Sequence, residues 1–321
     1  MSKENKNKLG DYSQPASGSL RWTALVMVMA IVISWGVAFV GMKEMLHDAP
    51  PFKAAGLRFL VGALPLLVIA LRPSRLRRLT RWDFAKFALI GFLQTALMFG
   101  IIFQGLKHVP AGASSIILNT NPFFVAILAH WLLKNDRLTR QKVAGLALGF
   151  VGVLVLALSG NGFGAMEFYW PLLLFVAAIV WAFSSVLAKL LKLNDMLSAT
   201  AWQTLFGSIL LFLVGFTFED QPINFTFSFT FWTLFVGLIG SSFAWWAWYR
   251  LLQLYNASRV TVFSFFIPVF GVLSGVLLLG ESLTINMVFG GALVASGIVI
   301  VNLRLAKRKN QPQPALVTEP L

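Results

Sequence analysis

The chain has 321 residues, of which 58% are apolar or aromatic and only 12% are charged, and its mean hydropathy is +0.78. Ordinary globular chains carry about 25% charged residues, so the polar side chains here are too few to cover a water-facing exterior, and most of the surface must face lipid. The 26 basic and 12 acidic residues give a net charge of +14, and the absence of cysteine excludes zinc–thiolate, iron–sulfur and cysteine-nucleophile chemistry.

A membrane-spanning helix needs about 20 largely apolar residues. Ten segments provide them: Trp22–Met42, Ala54–Leu71, Phe84–Gln104, Ala113–Leu132, Lys142–Ser159, Phe168–Ala188, Ser198–Thr217, Phe231–Arg250, Arg259–Leu279 and Thr284–Arg304. Turn chemistry marks several connectors, as at Pro50-Pro51, Gly160-Asn161-Gly162 and Asp220-Gln221-Pro222. The first span follows a basic stretch, as a signal peptide would, but it is too long for an h-region and no small-x-small cleavage site follows it.

Lysine and arginine set the expected orientation. One face collects Lys3, Lys6, Lys8 and Arg21, then Arg72, Arg75, Arg77, Arg78 and Arg81, and later Lys134, Arg137, Arg140, Lys189, Lys192 and the tail cluster at Arg304–Lys309. The opposite face holds Lys43, Lys53 and Lys107. Both termini are therefore expected in the cytoplasm, with the protein multi-pass in the cytoplasmic (inner) membrane. The basic excess is an orientation signal with some attraction to anionic lipid, so the lipid bilayer is an expected partner and nucleic acid is not.

The chain repeats itself. Trp35 and Trp181, Lys43 and Lys189, Gly91 and Gly237, and Pro122 and Pro268 are each 146 residues apart, and Gly62–Gly207, Gly145–Gly290 and Gly152–Gly297 are 145 apart. Each half holds five spans. Because five is odd, the second half must enter from the other face, and inverted repeats of this kind support alternating access around a midplane site. The expected fold is all-α and polytopic, with ten transmembrane helices as two inverted five-helix repeats. The expected organisation is a tail over 1–21, a first repeat over 22–159, an outward connector over 160–167, a second repeat over 168–304 and a tail over 305–321.

Ser34-Trp35-Gly36 leading to Lys43, Arg58-Phe59, Pro122-Phe123-Phe124, Gly280-Glu281-Ser282-Leu283-Thr284, Gly290-Gly291 and Gly297-Ile298 occur in an order and spacing that resemble a ten-helix EamA-type member of the drug/metabolite transporter superfamily. The resemblance covers roughly residues 22–304 and implies carriage or export of amino acids and other small metabolites. Asn135-Asp136-Arg137 departs from it, since the family usually has a Glu-type element there.

All twelve acids fall in tails, connectors or span edges. Proton-driven carriers usually keep an intramembrane acid or histidine, and His130 is the only histidine inside a span, so it is the proton-relay candidate, weighed against a polar interfacial residue beside Trp131. A facilitator without obligate proton coupling is the favoured mode. Arg58 is the strongly charged residue well inside an apolar run. It reads either as an anchor for a substrate carboxylate or as a side chain snorkelling to the outer interface.

Trp35 and Trp181 lie 13 or 14 residues into their spans, at midplane depth, where an indole N–H needs a partner. With Gln94, Asn119, Asn121, Gln203 (the repeat mate of Arg58) and Trp245, they and Arg58 form the candidate substrate-binding set. Trp22, Trp82, Trp131, Trp170 and Trp232 sit at span ends and read as the aromatic belt, and Lys43 and Lys189 read as interfacial anchors. Pro122 and Pro268 kink their helices at half depth and are the hinge candidates. Gly145, Gly149 and Gly152, with Gly290, Gly291 and Gly297, read as close-packing faces of helices 5 and 10, for scaffold or for a possible homodimer.

No cofactor and no metal site is expected. An intramembrane enzyme would need paired carboxylates, a Ser–His pair or a metal triad at depth, and none is present. A phosphorylated-metabolite or organic-anion exchanger would need more than one deep cation. The expected substrate is a small amphipathic metabolite, amino acids first.

Overall fold

The computed structural model describes residues 22–132, 140–157, 165–191, 193, 195–254 and 262–302, which are helical apart from turns and short connectors, with no strand among them. Seven helices are long and apolar enough to cross a bilayer: Trp22–Met45 (α1), Pro51–Ala70 (α2), Arg81–Leu106 (α3), Ala111–Leu132 (α4), Phe168–Leu190 (α6), Met196–Phe218 (α7) and Phe227–Trp248 (α8). Shorter apolar helices complete the series at Arg140–Ala157 (α5), Ile267–Leu279 (α9) and Ile285–Asn302 (α10). Large apolar side chains such as Val68, Phe216 and Leu277 are mostly exposed, as a lipid-facing surface requires. This is a multi-pass helical membrane protein, as the composition implied.

The packing carries the inverted repeat into three dimensions. α1 packs on α8 and α9, while its repeat mate α6 packs on α3 and α4; α2 joins α7, and α5 joins α10. Individual contacts obey the same relation. A Cβ on Gly237 would lie 2.9 Å from the Arg58 carbonyl, and one on Gly91 would lie 2.5 Å from the Gln203 carbonyl. Around these two glycines both helices widen into π-helix, over Gly91–Leu97 in α3 and Phe235–Phe243 in α8. Such bulges shift the helical register and loosen the backbone ladder, and they favour functional positions.

The helices that carry Pro122 and Pro268 are broken at corresponding depths. α4 is helical over Ala111–Leu118 and again over Asn121–Leu132, with the break just before Pro122. A 3-10 turn over Val262–Phe266 leads into α9, where Pro268 occupies the first turn. Proline at the start of a helical segment loses no ladder bond, because the first N–H groups have no intrahelical acceptor. The sequence therefore restarts each helix at its proline instead of bending a continuous one.

Paired connections tie the ends of α2 and α7. At one face Glu219 accepts from the Phe52 and Lys53 amides at 2.8 and 3.0 Å, capping α2. At the other face Asp195 accepts from the Ser198 amide, capping α7, and receives Arg75 Nη1 at 2.7 and 2.8 Å. Burial would raise the Asp195 pKa, but the bonds from Ser198 and Arg75 outweigh it and hold the carboxyl below its ordinary value. The glycines of α5 and α10 face each other within the chain: a Cβ on Gly152 would lie 2.6 Å from the Gly290 carbonyl, and one on Gly297 2.5 Å from the Gly145 carbonyl.

Candidate functional site

Between the two halves lies a cavity of about 100 Å³. α1 contributes Trp35, Ala38, Phe39 and Met42, and α3 contributes Gln94, Met98, Phe99 and Ile102. Arg58 of α2, Leu118 and Asn119 of α4, Trp181 of α6, Gly240 and Trp245 of α8 and Ile267 of α9 close it. The positions in α1 fall at i, i+3, i+4 and i+7, so one helix face supplies them all.

Arg58 is 5% exposed and does not snorkel to an interface. Its guanidinium carbon lies 4.5 Å from the Phe59 ring centre and 4.7 Å from that of Phe99, a stacked arrangement that supports a buried cation. Nη1 meets the Met42 thioether at 2.8 Å, whereas the buried Nε has no hydrogen-bond partner. Thioether sulfur is a weak acceptor, and no ion pair to Arg58 forms among the described residues. A cation stripped of water with this little compensation is costly unless something else supplies an acceptor.

The neighbouring groups are neutral. Asn119 ends the first half of α4 and donates its amide to the Ser115 carbonyl at 2.8 Å, which leaves its side-chain oxygen as an acceptor beside the cavity. Gln94 sits in the π-helical part of α3. Trp35 Nε1 donates to the Gly240 carbonyl at 2.9 Å, within the π-helical part of α8, and its ring packs at 5.3 Å against both Trp245 and Trp248. The indole partner expected for Trp35 is thus a carbonyl of the loosened α8 backbone.

Of the eight candidate binding residues, Trp35, Arg58, Gln94, Asn119, Trp181 and Trp245 line the cavity, and Asn121 and Gln203 do not. Asn121 opens the second half of α4, past the break that separates it from Asn119, and is not part of the lining. Gln203 falls outside because no residue of α7 reaches the lining, so the cavity departs from the repeat symmetry. His130 is in the last turn of α4, away from the lining. Pro122 and Pro268 are not among the lining residues and sit at the two helix breaks. The lining residues Phe39, Met42, Met98 and Phe99 were not singled out in the sequence, although their helical spacing from Trp35 and Gln94 was a usable signal.

At the face where α1 ends, Lys43 does not extend into the interface. Its Nζ meets Glu281 at 3.2 Å and the Val109 carbonyl at 3.3 Å. Glu281 also accepts from the Ala111 and Gly112 amides at 2.6 and 3.1 Å. Gly280, at φ +64°, ends α9 in the left-handed conformation that glycine adopts without strain, and the turn brings Glu281 back onto α4. One carboxylate thus ties α1, α4 and the end of α9 together at that face. The corresponding loop in the first half, with Asn135-Asp136-Arg137, lies outside the described residues, as does Gly160-x-Gly162-x-Gly164.

Two inverted five-helix repeats, broken helices and a polar-tipped aromatic cavity between them define a membrane transporter of the inverted-repeat class. Residues 22–158 and 168–303 each match the EamA-like transporter family, and the chain belongs to that family. The chain is 28% identical over 285 residues to the uncharacterized transporter YoaV of Bacillus subtilis (strain 168), covering 88% of this chain and 97% of the relative. It is 29% identical over 299 residues to a protein of Escherichia coli (strain K12) named "Probable amino-acid metabolite efflux pump", covering 88% and 96%, and 29% identical over 289 residues to a Salmonella typhimurium protein of the same name, covering 85% and 93%. A solved crystal structure superposes with a TM-score of 0.65 at 19% identity, covering 88% of this chain and 96% of that one, which shows the shared fold.

Proposed function

We propose that this transporter carries small amphipathic carboxylates, amino acids and their metabolites first, by alternating access around the cavity between its halves. The observation that carries this reading is Arg58, a buried guanidinium facing the cavity with an unpartnered Nε and a thioether as its acceptor. A carboxylate fits the planar guanidinium through two parallel hydrogen bonds. Asn119 and Gln94 would orient the polar head, and Trp35, Trp181 and Trp245 would hold the apolar body. The names of the Escherichia coli and Salmonella relatives support amino-acid metabolites as cargo.

The helix breaks before Pro122 and Pro268 would serve as hinges, and the Glu281 clasp would close the face at which α1 ends. No titratable acid or histidine lines the cavity among the described residues, which supports carriage without obligate proton coupling and leaves His130 without an assigned relay role. In this reading the chain is a transporter rather than an enzyme. It is multi-pass in the cytoplasmic (inner) membrane with both termini in the cytoplasm, as the basic connectors favour. Any homodimer through α5 and α10 would use outward residues such as Val143, Phe150, Val288 and Phe289, which are exposed, since the glycines are occupied within the chain.

The test is counterflow in proteoliposomes of an N-acetylated amino acid and of its methyl ester, which carries no charge. Arg58→Ala should reduce uptake of the acid at least tenfold more than that of the ester, and Arg58→Lys should restore part of the difference. Equal loss for both compounds would remove the anchor role.

A further inference from the structure

The charge balance of the cavity points to a narrower substrate. Among the described residues its lining contains one charged side chain, Arg58, and no carboxylate; the remaining residues are two amides, glycine and apolar or aromatic groups. Neighbouring charges are already matched: Lys43 lies against Glu281, whose carboxylate also accepts from the Ala111 and Gly112 amides. We infer that the cavity selects cargo of net charge −1, an apolar monocarboxylate without an ammonium group, over the zwitterionic amino acid of the same skeleton. This rests on the reading of Arg58 as the carboxylate anchor.

A monocarboxylate neutralises Arg58 and leaves the cavity without excess charge. A zwitterion also satisfies the guanidinium, but its ammonium lies one carbon from the carboxylate and therefore a few ångströms from the guanidinium, where two like charges repel in a medium of low dielectric. The ammonium would need an acceptor of its own, and an isolated buried charge without one is heavily penalised. The acceptors at hand are neutral, the Asn119 side-chain oxygen and Gln94. Phe59 and Phe99 already face Arg58 and Trp35 packs against Trp245 and Trp248, so the lining offers an ammonium an aromatic contact at most, as at Trp181, and no carboxylate to pair with. A phosphate monoester fails in the opposite sense, because its second negative charge has no partner beside Arg58.

In chemical terms the cargo is the acid that remains when an amino acid with an aliphatic or aromatic side chain loses its amino group. Reactions that remove that group, or replace it with a carbonyl, would supply such acids.

The experiment measures binding to the purified full-length protein in nanodiscs, by thermal stabilisation and by quenching of tryptophan fluorescence, since Trp35, Trp181 and Trp245 line the cavity. Four ligands share the 3-methylbutyl unit: 4-methylpentanoate (−1), leucine (zwitterion), 4-methylpentanamide (neutral) and 3-methylbutylamine (+1). The expected order has 4-methylpentanoate binding at least tenfold more tightly than leucine, with the amide weaker still and the amine undetectable. Arg58→Gln should bring 4-methylpentanoate down to the level of the amide. Leucine binding as tightly as 4-methylpentanoate, or more tightly, while Arg58→Gln weakens both, would overturn this inference and leave the anchor intact. The amide binding as well as the acid, with Arg58→Gln changing neither, would overturn the anchor and the inference together, as would failure of both acids to bind.

Discussion

Glu281→Gln is the substitution most informative about how the carrier moves. The carboxylate, with its side chain 10% exposed, faces Lys43 at 3.2 Å and the Ala111 and Gly112 amides at 2.6 and 3.1 Å. Glutamine keeps the shape and one acceptor oxygen but loses the charge and the second acceptor. Hydrogen bonds to charged groups contribute about 1.5–3 kcal/mol each, so removing one and weakening another costs roughly 2 kcal/mol in the state that has the clasp. If the state open at that face lacks the clasp, the equilibrium between the two moves about 30-fold towards it. The chain contains no cysteine, so Ile102→Cys places a single thiol at the cavity wall on α3. A membrane-impermeant maleimide applied from the face at which α1 ends should label it more than tenfold faster in the Glu281→Gln background. An unchanged labelling rate in protein that still melts cooperatively would refute the gating role and leave the clasp a static connection.

Four further outcomes follow from other contacts. Pro122→Ala gives the segment after the α4 break an ordinary N–H and should slow exchange several-fold more than it weakens substrate binding; unchanged turnover would retire the hinge. Gly152→Ala forces α5 and α10 apart, because its Cβ would meet backbone 2.6 Å away, and should cost about 1–3 kcal/mol and lower the melting temperature in detergent. Gly291→Ala meets only the Ile116 side-chain tip at 3.3 Å and should be tolerated. Asp195 holds its pKa below the ordinary 3.8, so its contribution is present above that value and is lost as pH falls through the lower, folded-state pKa. Asp195→Asn should be less stable than the parent at pH 7, and the gap should close on acidification below about pH 4. A gap independent of pH would show that the carboxylate charge is not what stabilises that end of α7.

The features legible in the sequence were those with a local signature. Apolar run length located the spans, and the spacing of tryptophan, glycine and proline between the halves revealed the repeat. Arg58 stood out because a guanidinium inside an apolar run has few explanations, and midplane depth singled out Trp35 and Trp181. The clasp was not legible, because Lys43 and Glu281 are 238 residues apart and each is an ordinary charge at a span end when read alone. Gln203 was proposed from symmetry with Arg58, and symmetry fails there because the cavity draws four residues each from α1 and α3 and none from α7. The π-helical segments over Gly91–Leu97 and Phe235–Phe243 also left no sequence pattern beyond the glycines at which the Gln203 and Arg58 backbones approach closely.

Carriage of small carboxylates without an obligatory ion gradient is open to direct measurement. Counterflow of a labelled panel of amino acids and their deaminated acids into proteoliposomes, with no pH or ion gradient imposed, tests it most directly. The expected result is uptake driven solely by unlabelled substrate inside the vesicles and abolished by Arg58→Ala. Uptake that appears only when a pH gradient is imposed, or that survives loss of Arg58, would contradict it.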